Sequence, residues 1–333
     1  MLPLISIITP TFNNEKDLPN FLYSIKNQNY PQQKKELIIV DGGSTDRTVF
    51  IAKKNGCITL HNPQRLAEPG VSLGMTHAKG SIIIILATDN LYKDTQAFKK
   101  IAYIFNNKHI YGAFPKQDYD TTDNIFTRYH NTFTDPFNHF VYGEASNART
   151  FHRIYKTLIH NGVYDVYDFA SSPVLPMISF SQGFAIRGGY RRKKEDFLDD
   201  CGPVIDLIEN KKQIAFIHSL SLYHHTINDM SHFIKKQRWA TQNALSGKKY
   251  GIAHRYQKLS MGQRIRMFLW PFYAFSFIFP FIDGVIGYVK DRELLWFFHP
   301  VNCFLCGYAN LYQLSVYIIG KIKSQSTVAI SRQ

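Results

Sequence analysis

Short apolar runs alternating with helical periodicity dominate the first hundred residues, and that alternation limits what the chain can fold into. "LISIIT" (4–9) is a β-rich run, and Leu18, Phe21, Leu22 and Ile25 then recur at helical spacing. "ELIIV" (36–40) is the next buried strand, and "STDRTVFIAKKNG" is a capped helix closed by Gly56. "CITLH" and "SIIIILA" add two strands, and Phe98, Ile101, Ala102 and Phe105 mark another helix. Strands of this kind, buried on both faces and separated by helices, predict an α/β sheet that is largely parallel. Such sheets bind ligands beyond the carboxyl ends of their strands. The stretches to examine are therefore "PTFNN", "DGGSTD" and "ATDN". No G-x-G-x-x-G follows the first strand and no G-x-x-x-x-G-K-[ST] occurs, which argues against a dinucleotide oxidoreductase and a P-loop enzyme. Residues 115–180 are aromatic, turn-rich and poorly periodic, and the α/β signal returns with "SQGFAIR", "DDCGPVIDLIENKKQIAFI" and "LSLYHHT".

Charge is unevenly spread. The formal net charge is +14, and between Lys211 and Arg266 there are eleven Lys and Arg against one acid, Asp229. A basic stretch of this kind suits nucleic acid or an anionic membrane surface. The sequence that follows favours the membrane. Phe268–Val289 contains no Lys or Arg and one acid, Asp283, and Leu294–Gly320 contains no charged residue. As a helix the first would measure about 33 Å, close to a bilayer's hydrocarbon core. Pro271 and Pro280 interrupt it, and "FHP" (298–300) interrupts the second. Trp270 and Trp296 sit near the ends, where interfacial aromatics belong. The strand pattern begins at once, so no signal peptide is expected and the first 260 residues are placed on the cytoplasmic side of a cytoplasmic or inner membrane. Four cysteines are too scattered for a disulfide framework, and C-x-x-C at Cys303 and Cys306 lacks a second ligand pair.

At the strand ends the sequence resembles the family-2 glycosyltransferases, which share the GT-A fold. "ISIITPTFNNEKDLPNFLYSIKNQNYP" is similar to their opening strand and helix, and "ELIIVDGGSTDRT" to their second strand and nucleotide loop. "GVSLGMTHAKGSIIIILATDN" is similar to the stretch leading into their D-x-D metal motif. "SQGFAIRGG", "EDFLDDCGPVIDLIENKKQIAFI" and "LYHHT" follow in the order of their acceptor-side motifs, so the likeness covers roughly residues 4–245. It implies inverting transfer of a sugar from a nucleotide-sugar donor, with UDP-sugars the expected class.

The resemblance also assigns residues. Asp41 is expected to accept the imide N–H of uracil, with Thr11 and Asn13 lining base and ribose; Asp41 also reads as a turn-forming Asx before Gly42-Gly43. Arg65 and Arg187 are further expected donor contacts, and Arg191 and Arg192 could serve the diphosphate or an acidic acceptor. A divalent cation, Mg²⁺ or Mn²⁺, offsets the charge that develops on a diphosphate leaving group. Here the motif reads Ala87-Thr88-Asp89, so Asp89 alone supplies the carboxylate, and contact to the ribose falls to Asn90 or a backbone group. His224, at the end of "SLSLYHH", is the second expected ligand, and strand alternation sends His225 to the other face. Inverting transfer needs a base on the acceptor side. In "LDDCGPVIDLI" Asp200 matches the base and Asp199 the supporting acid; a pair of acids opening a helix also fits plain charge matching.

The expected organisation is a nucleotide-sugar-binding half (1–110), an acceptor half (111–245), a basic linker (246–266), membrane-associated helices (267–322) and a tail (323–333). The expected partners are a nucleotide-sugar, a lipid-linked or cell-envelope glycan acceptor and a membrane surface, and not nucleic acid. A sugar-nucleotide pyrophosphorylase and an inactive nucleotide- or lipid-binding scaffold are the rival readings. The first should carry a Gly-rich basic loop where "TPTFNNE" stands, and the second is motivated by Ala87.

Overall fold

A computed structural model describes residues 1–191, 198–245, 250–251 and 257–330. The first half builds β1 (Ile5–Thr11), α1 (Leu18–Lys26), β2 (Lys35–Asp41), α2 (Thr48–Lys54), β3 (Ile58–His61), α3 (Ala67–His77) and β4 (Ile82–Leu86). A short β5 (Asn90–Leu91), α4 (Ala97–Ile104) and β6 (Ile110–Asp118) follow. Next come α5 (Ile125–Phe133), α6 (Pro136–Tyr142), β7 (Thr157–His160), β8 (Asp165–Tyr167), β9 (Gln182–Arg187) and β10 (Leu198–Asp199). The chain continues through α7 (Gly202–Glu209), β11 (Gln213–His224), α8 (Met230–Leu245), β12 (Tyr250–Gly251), α9 (Met261–Ser276), α10 (Ile278–Asp291) and α11 (His299–Ile330).

The main sheet has the order β3-β2-β1-β4-β9-β6-β11-β8-β7, with β5 paired to the end of β11. Neighbouring strands from β3 through β4 are parallel, as the alternation predicts. β9 enters antiparallel between β4 and β6, so the complete sheet is mixed. Every residue of β4 is buried, because α4 covers one face of the sheet and α3 the other. At about 1.5–3 kcal/mol per fully buried aliphatic side chain, this strand is a main contributor to the core. α3 lies so close to β1 that a Cβ on Gly74 would sit 2.4 Å from Ile8 Cγ2. Gly74 and Met75 thus pack against the sheet.

The C-terminal helices dock against α6 and α8. Trp270, Tyr273, Ala274, Cys303 and Cys306 form one buried cluster with Ile227 and Phe233. Polar bonds set its register: Trp270 Nε1 donates to Asn310 Oδ1 at 2.9 Å, and Asn310 Nδ2 donates to Thr241 Oγ1 at 2.8 Å. Phe268–Val289 is not a single helix. It breaks at Phe277, whose φ is +55°, and α9 and α10 meet at a bend of 94°. Starting a new helix at Ile278 puts Pro280 in a first turn, where its missing N–H costs no intrahelical bond. "FHP" also acts as a boundary, since a 3₁₀ turn (Leu294–Phe298) ends there and α11 begins at His299. Leu294–Ile322 is long and apolar enough to cross a membrane.

Candidate active site

The in-register pairing of β1 and β2 sets Thr11 directly beside Asp41. Asp41 is buried, and its carboxylate accepts from Gly43 N–H at 2.9 Å, Ser44 N–H at 2.8 Å, Ser44 Oγ at 2.5 Å and Thr11 Oγ1 at 3.3 Å. The Asx turn is therefore real, and the carboxylate's roughly four acceptor directions are taken. For Asp41 to receive a base N–H, one hydroxyl has to swing away, and the long Thr11 bond is the weakest.

Asn13 ties the two loops together. Its N–H donates to Ser44 Oγ at 2.8 Å, and its Oδ1 accepts Thr45 N–H at 2.9 Å. Asn13 (φ +52°) and Arg65 (φ +58°) both occupy the left-handed region, which Asn tolerates and Arg rarely adopts. The Arg65 guanidinium lies over the Gly42-Gly43 turn, at the same edge as Asp41. Four of the expected donor residues, Thr11, Asn13, Asp41 and Arg65, thus converge.

β5 lies antiparallel to the end of β11, with Asn90 opposite His224. This pairing brings His224 Nε2 to 3.5 Å from Asp89 Oδ2. His225 turns away, its Nδ1 2.8 Å from Asp123 Oδ1, as strand alternation predicts. Burial works to raise the Asp89 pKa, but the His224 imidazole and the Lys236 charge outweigh it and hold the carboxyl below its ordinary range. A partly open carboxylate facing a buried imidazole is a donor pair of the kind that could hold a divalent cation. His224 Nδ1 is buried and has no partner among the described residues.

Asn90 departs from its expected role. It is fully buried and its Nδ2 donates to Asp89 Oδ1 at 2.8 Å, so it orients the carboxylate and does not face a ribose. Arg187 departs further. Because β9 runs antiparallel to β4, Arg187 lies beside Ile82 at the start of that strand, at the opposite edge from Asp89. Its guanidinium is spent on the carbonyls of Ile110, Phe105 and Asn107 at 2.8, 3.0 and 2.7 Å. Arg191 is exposed and bonds the Tyr190 carbonyl, and Arg192 lies outside the described residues.

A cleft of about 570 Å³ opens between β6, α6, α8 and α9. Asp200 lines it, held by Ser181 N–H donating to Oδ1 at 2.8 Å and by the Ser179 hydroxyl on Oδ2. Asp199 belongs to the short strand β10, paired with Gly251, and its side chain lies outside the described residues. A second carboxylate, Asp135, also lines the cleft but caps α6, accepting Asn138 N–H at 3.0 Å.

Lys236 and His130 belong to the site and had no signal of their own in the sequence. Both line the cleft. Lys236 donates to Thr226 Oγ1 beyond the end of β11, and enclosure lowers its pKa against the opposing pull of Asp89 and Asp135. The His130 ring meets the His224 ring edge-on at 6.0 Å. Enclosure, with help from Lys236, keeps His130 well below the usual imidazole range and so neutral.

Residues 6–167 match the model described as Glycosyl transferase family 2, a span that contains Asp41, Asp89 and His130 and ends before Asp200, His224 and Lys236. The chain carries a family 2 glycosyltransferase domain. It is 30% identical over 121 residues to a dolichyl N-acetyl-alpha-D-glucosaminyl phosphate 3-beta-D-2,3-diacetamido-2,3-dideoxy-beta-D-glucuronosyltransferase of Methanococcus voltae, covering 34% of this chain and 36% of that one. It is 32% identical over 118 residues to the O-antigen chain rhamnosyltransferase RfbN of Salmonella typhimurium, covering 34% and 37% of the two chains. The glycosyltransferase match thus spans about a third of each relative. Among solved structures, the mannosyltransferase PcManGT of Pyrobaculum calidifontis, in complex with GDP-Man and Mn²⁺, superposes with a TM-score of 0.54 at 13% identity. That likeness covers 94% of this chain and 88% of that one, and it shows a shared GT-A fold.

Proposed function

We propose that this glycosyltransferase moves a sugar, with inversion, from a UDP-sugar to a lipid-linked or envelope glycan acceptor at a membrane surface. One observation carries the reading: Lys236 and His130 line the same cleft as Asp200 while they adjoin the Asp89–His224 pair. A leaving-group site and a proton acceptor therefore share one space. Thr11, Asn13, Asp41 and Arg65 hold the nucleoside. Asp89 and His224 hold Mg²⁺ or Mn²⁺, which offsets charge on the diphosphate when bound. Lys236 adds a fixed positive charge beside it, which suits a site whose motif has Ala87 in place of an acid. Asp200 takes the proton of the acceptor hydroxyl, with Ser179 and Ser181 fixing its orientation.

The apolar surface supports a membrane location. Phe268, Phe272, Ile278, Phe279 and Phe281 are all more than half exposed on α9 and α10. They neighbour Trp270 and Met267, which line the cleft. The bend at Phe277 lets the two helices lie at the headgroup level, and α11 has the length to span. The experiment is a nucleotide-sugar turnover screen of the full chain in lipid with Mn²⁺, using anomeric analysis of any product. Inverted product from a UDP-sugar is expected. A retained anomer, or exclusive use of another nucleotide, would sink the corresponding part of the reading.

A further inference from the structure

The geometry points to a second divalent-metal site, formed by His160, Asp165 and His218, that takes a borderline transition cation of the Zn²⁺ class. It does not depend on the transfer reaction. The three residues come from neighbouring strands. His160 ends β7 and pairs directly with Asp165, which opens β8, and β8 pairs antiparallel with β11 at Phe216 and Ala215. The register of β11 against β6 shifts between Ile217 and Ser221, and an irregularity of this kind re-aims the side chains within it. His218 lies in that segment, and its ring stacks on His160 with centroids 6.0 Å apart and planes 25° from parallel.

One ligand atom from each of the three residues lies within 4.8 Å of the other two. Ligand atoms around a tetrahedral zinc stand about 3.3 Å apart, so small side-chain rotations close the set. His160 Nδ1 and Asp165 Oδ1 are joined by a hydrogen bond of 2.6 Å, and an ion would take the place of the shared proton as the two atoms move slightly apart. The outer partners are in place as well: Tyr167 donates its hydroxyl to Asp165 Oδ2 at 3.2 Å, and the Asn161 carbonyl accepts from His218 Nε2 at 2.9 Å. Asn161 also closes the β7–β8 turn, accepting Val163 and Tyr164 N–H at 2.9 and 3.0 Å. Such outer contacts fix the ring and carboxylate orientations that a metal needs. Asp165 is buried while the His160 side chain is 76% exposed, which gives the ion a route in.

Two imidazoles and one carboxylate select a borderline ion over Mg²⁺. This donor set differs from the Asp89–His224 pair, which would need oxygens of a bound diphosphate to fill out a metal's coordination. His218 precedes His224 by six residues on β11, a separation of roughly 20 Å along an extended strand. Zinc here would clamp the β7–β8 hairpin onto the central strand.

The test is calorimetric titration of Zn²⁺ alone, with no nucleotide, into the full chain in detergent. Asp89→Ala serves as the background that removes the other ligand pair. One zinc equivalent should bind and raise the melting temperature. His160→Ala, at an exposed position that folding tolerates, and His218→Ala should each weaken binding at least about tenfold and abolish the thermal shift. Absence of zinc binding in the Asp89→Ala background, or zinc affinity left unchanged by either histidine substitution, would overturn the proposal.

Discussion

Thr11 and Asp41 end two adjacent strands, and Asn13 and Arg65 lie in loops that follow β1 and β3, so all four belong to one edge of one parallel run within the first 65 residues. The cleft that Asp200 lines is assembled differently. It takes Gln117 from the end of β6, Asp135 from the cap of α6, Asp200 from the turn before α7, Lys236 and Trp239 from α8, and Trp270 from α9. The donor edge is thus local and follows from strand order alone. The cleft exists only once distant helices dock. A substitution at the donor edge should act on nucleotide affinity, and one in the cleft on turnover.

The largest effect is expected at Asp200. Asp200→Asn keeps the Ser181 bond but cannot take a proton, so kcat should fall about 10²–10⁴-fold with donor affinity nearly unchanged. Asp135→Asn is the contrast within the same cleft. It keeps a capping oxygen for Asn138 N–H but loses the acceptor for Asn138 Nδ2, at a cost of about 1 kcal/mol, and should lower the melting temperature more than the turnover. If Asp135→Asn abolishes turnover and Asp200→Asn does not, the base has been assigned to the wrong carboxylate.

Lys236→Met follows in size. Loss of one fixed charge beside a leaving group costs about 10² in kcat, with a smaller change in KM. Unaltered kcat would leave Lys236 a structural partner of Thr226.

Membrane attachment sharpens the comparison from the other side. Truncation before α9 is a poor test, because it strips the cover from Phe233 and Ile227 and exposes the buried cluster. The exposed positions serve better: Phe272→Glu with Phe279→Glu should loosen the hold of α9 and α10 on the membrane, so that less detergent extracts the protein, and leave its fold intact. An unchanged detergent requirement would contradict an interfacial role for α9 and α10. The smallest effect is expected at Asp41. Asp41→Ala should weaken binding of the free nucleotide by about tenfold, since a hydrogen bond to a charged group contributes about 1.5 kcal/mol at the low end of its range. Part of any loss would be loop order, and Ser44→Ala, which removes only the hydroxyl on Asp41, measures that part.

What could be read from the residues follows the same division. The strands from β1 to β4 stand out because buried β-branched runs and helix caps are local signals. The pairing of Asp89 with His224, over 130 residues apart in the sequence, was anticipated only through resemblance. Alternation then separated His224 from His225 on physical grounds. Arg187 was misplaced because a strand's direction cannot be read from its composition, and β9 runs against its neighbours. Asn90 was given a ligand-facing role, but the two-residue strand β5 turns it inward. His130 had no flanking pattern, and Lys236 was one of many cations in a basic stretch. Their importance comes from the packing of α5 and α8 beside the end of β11.

The central claim is that Asp89 and His224 act together on a metal that holds the donor diphosphate. A double-mutant cycle on Mn²⁺-dependent affinity for the UDP-sugar tests it most directly, with each titration repeated in chelator. Asp89→Ala and His224→Ala should each remove the metal-dependent part of binding, and the double variant should lose little more than either single variant. In chelator all four proteins should bind alike. Strictly additive losses, or metal-dependent binding that survives in Asp89→Ala, would contradict the account.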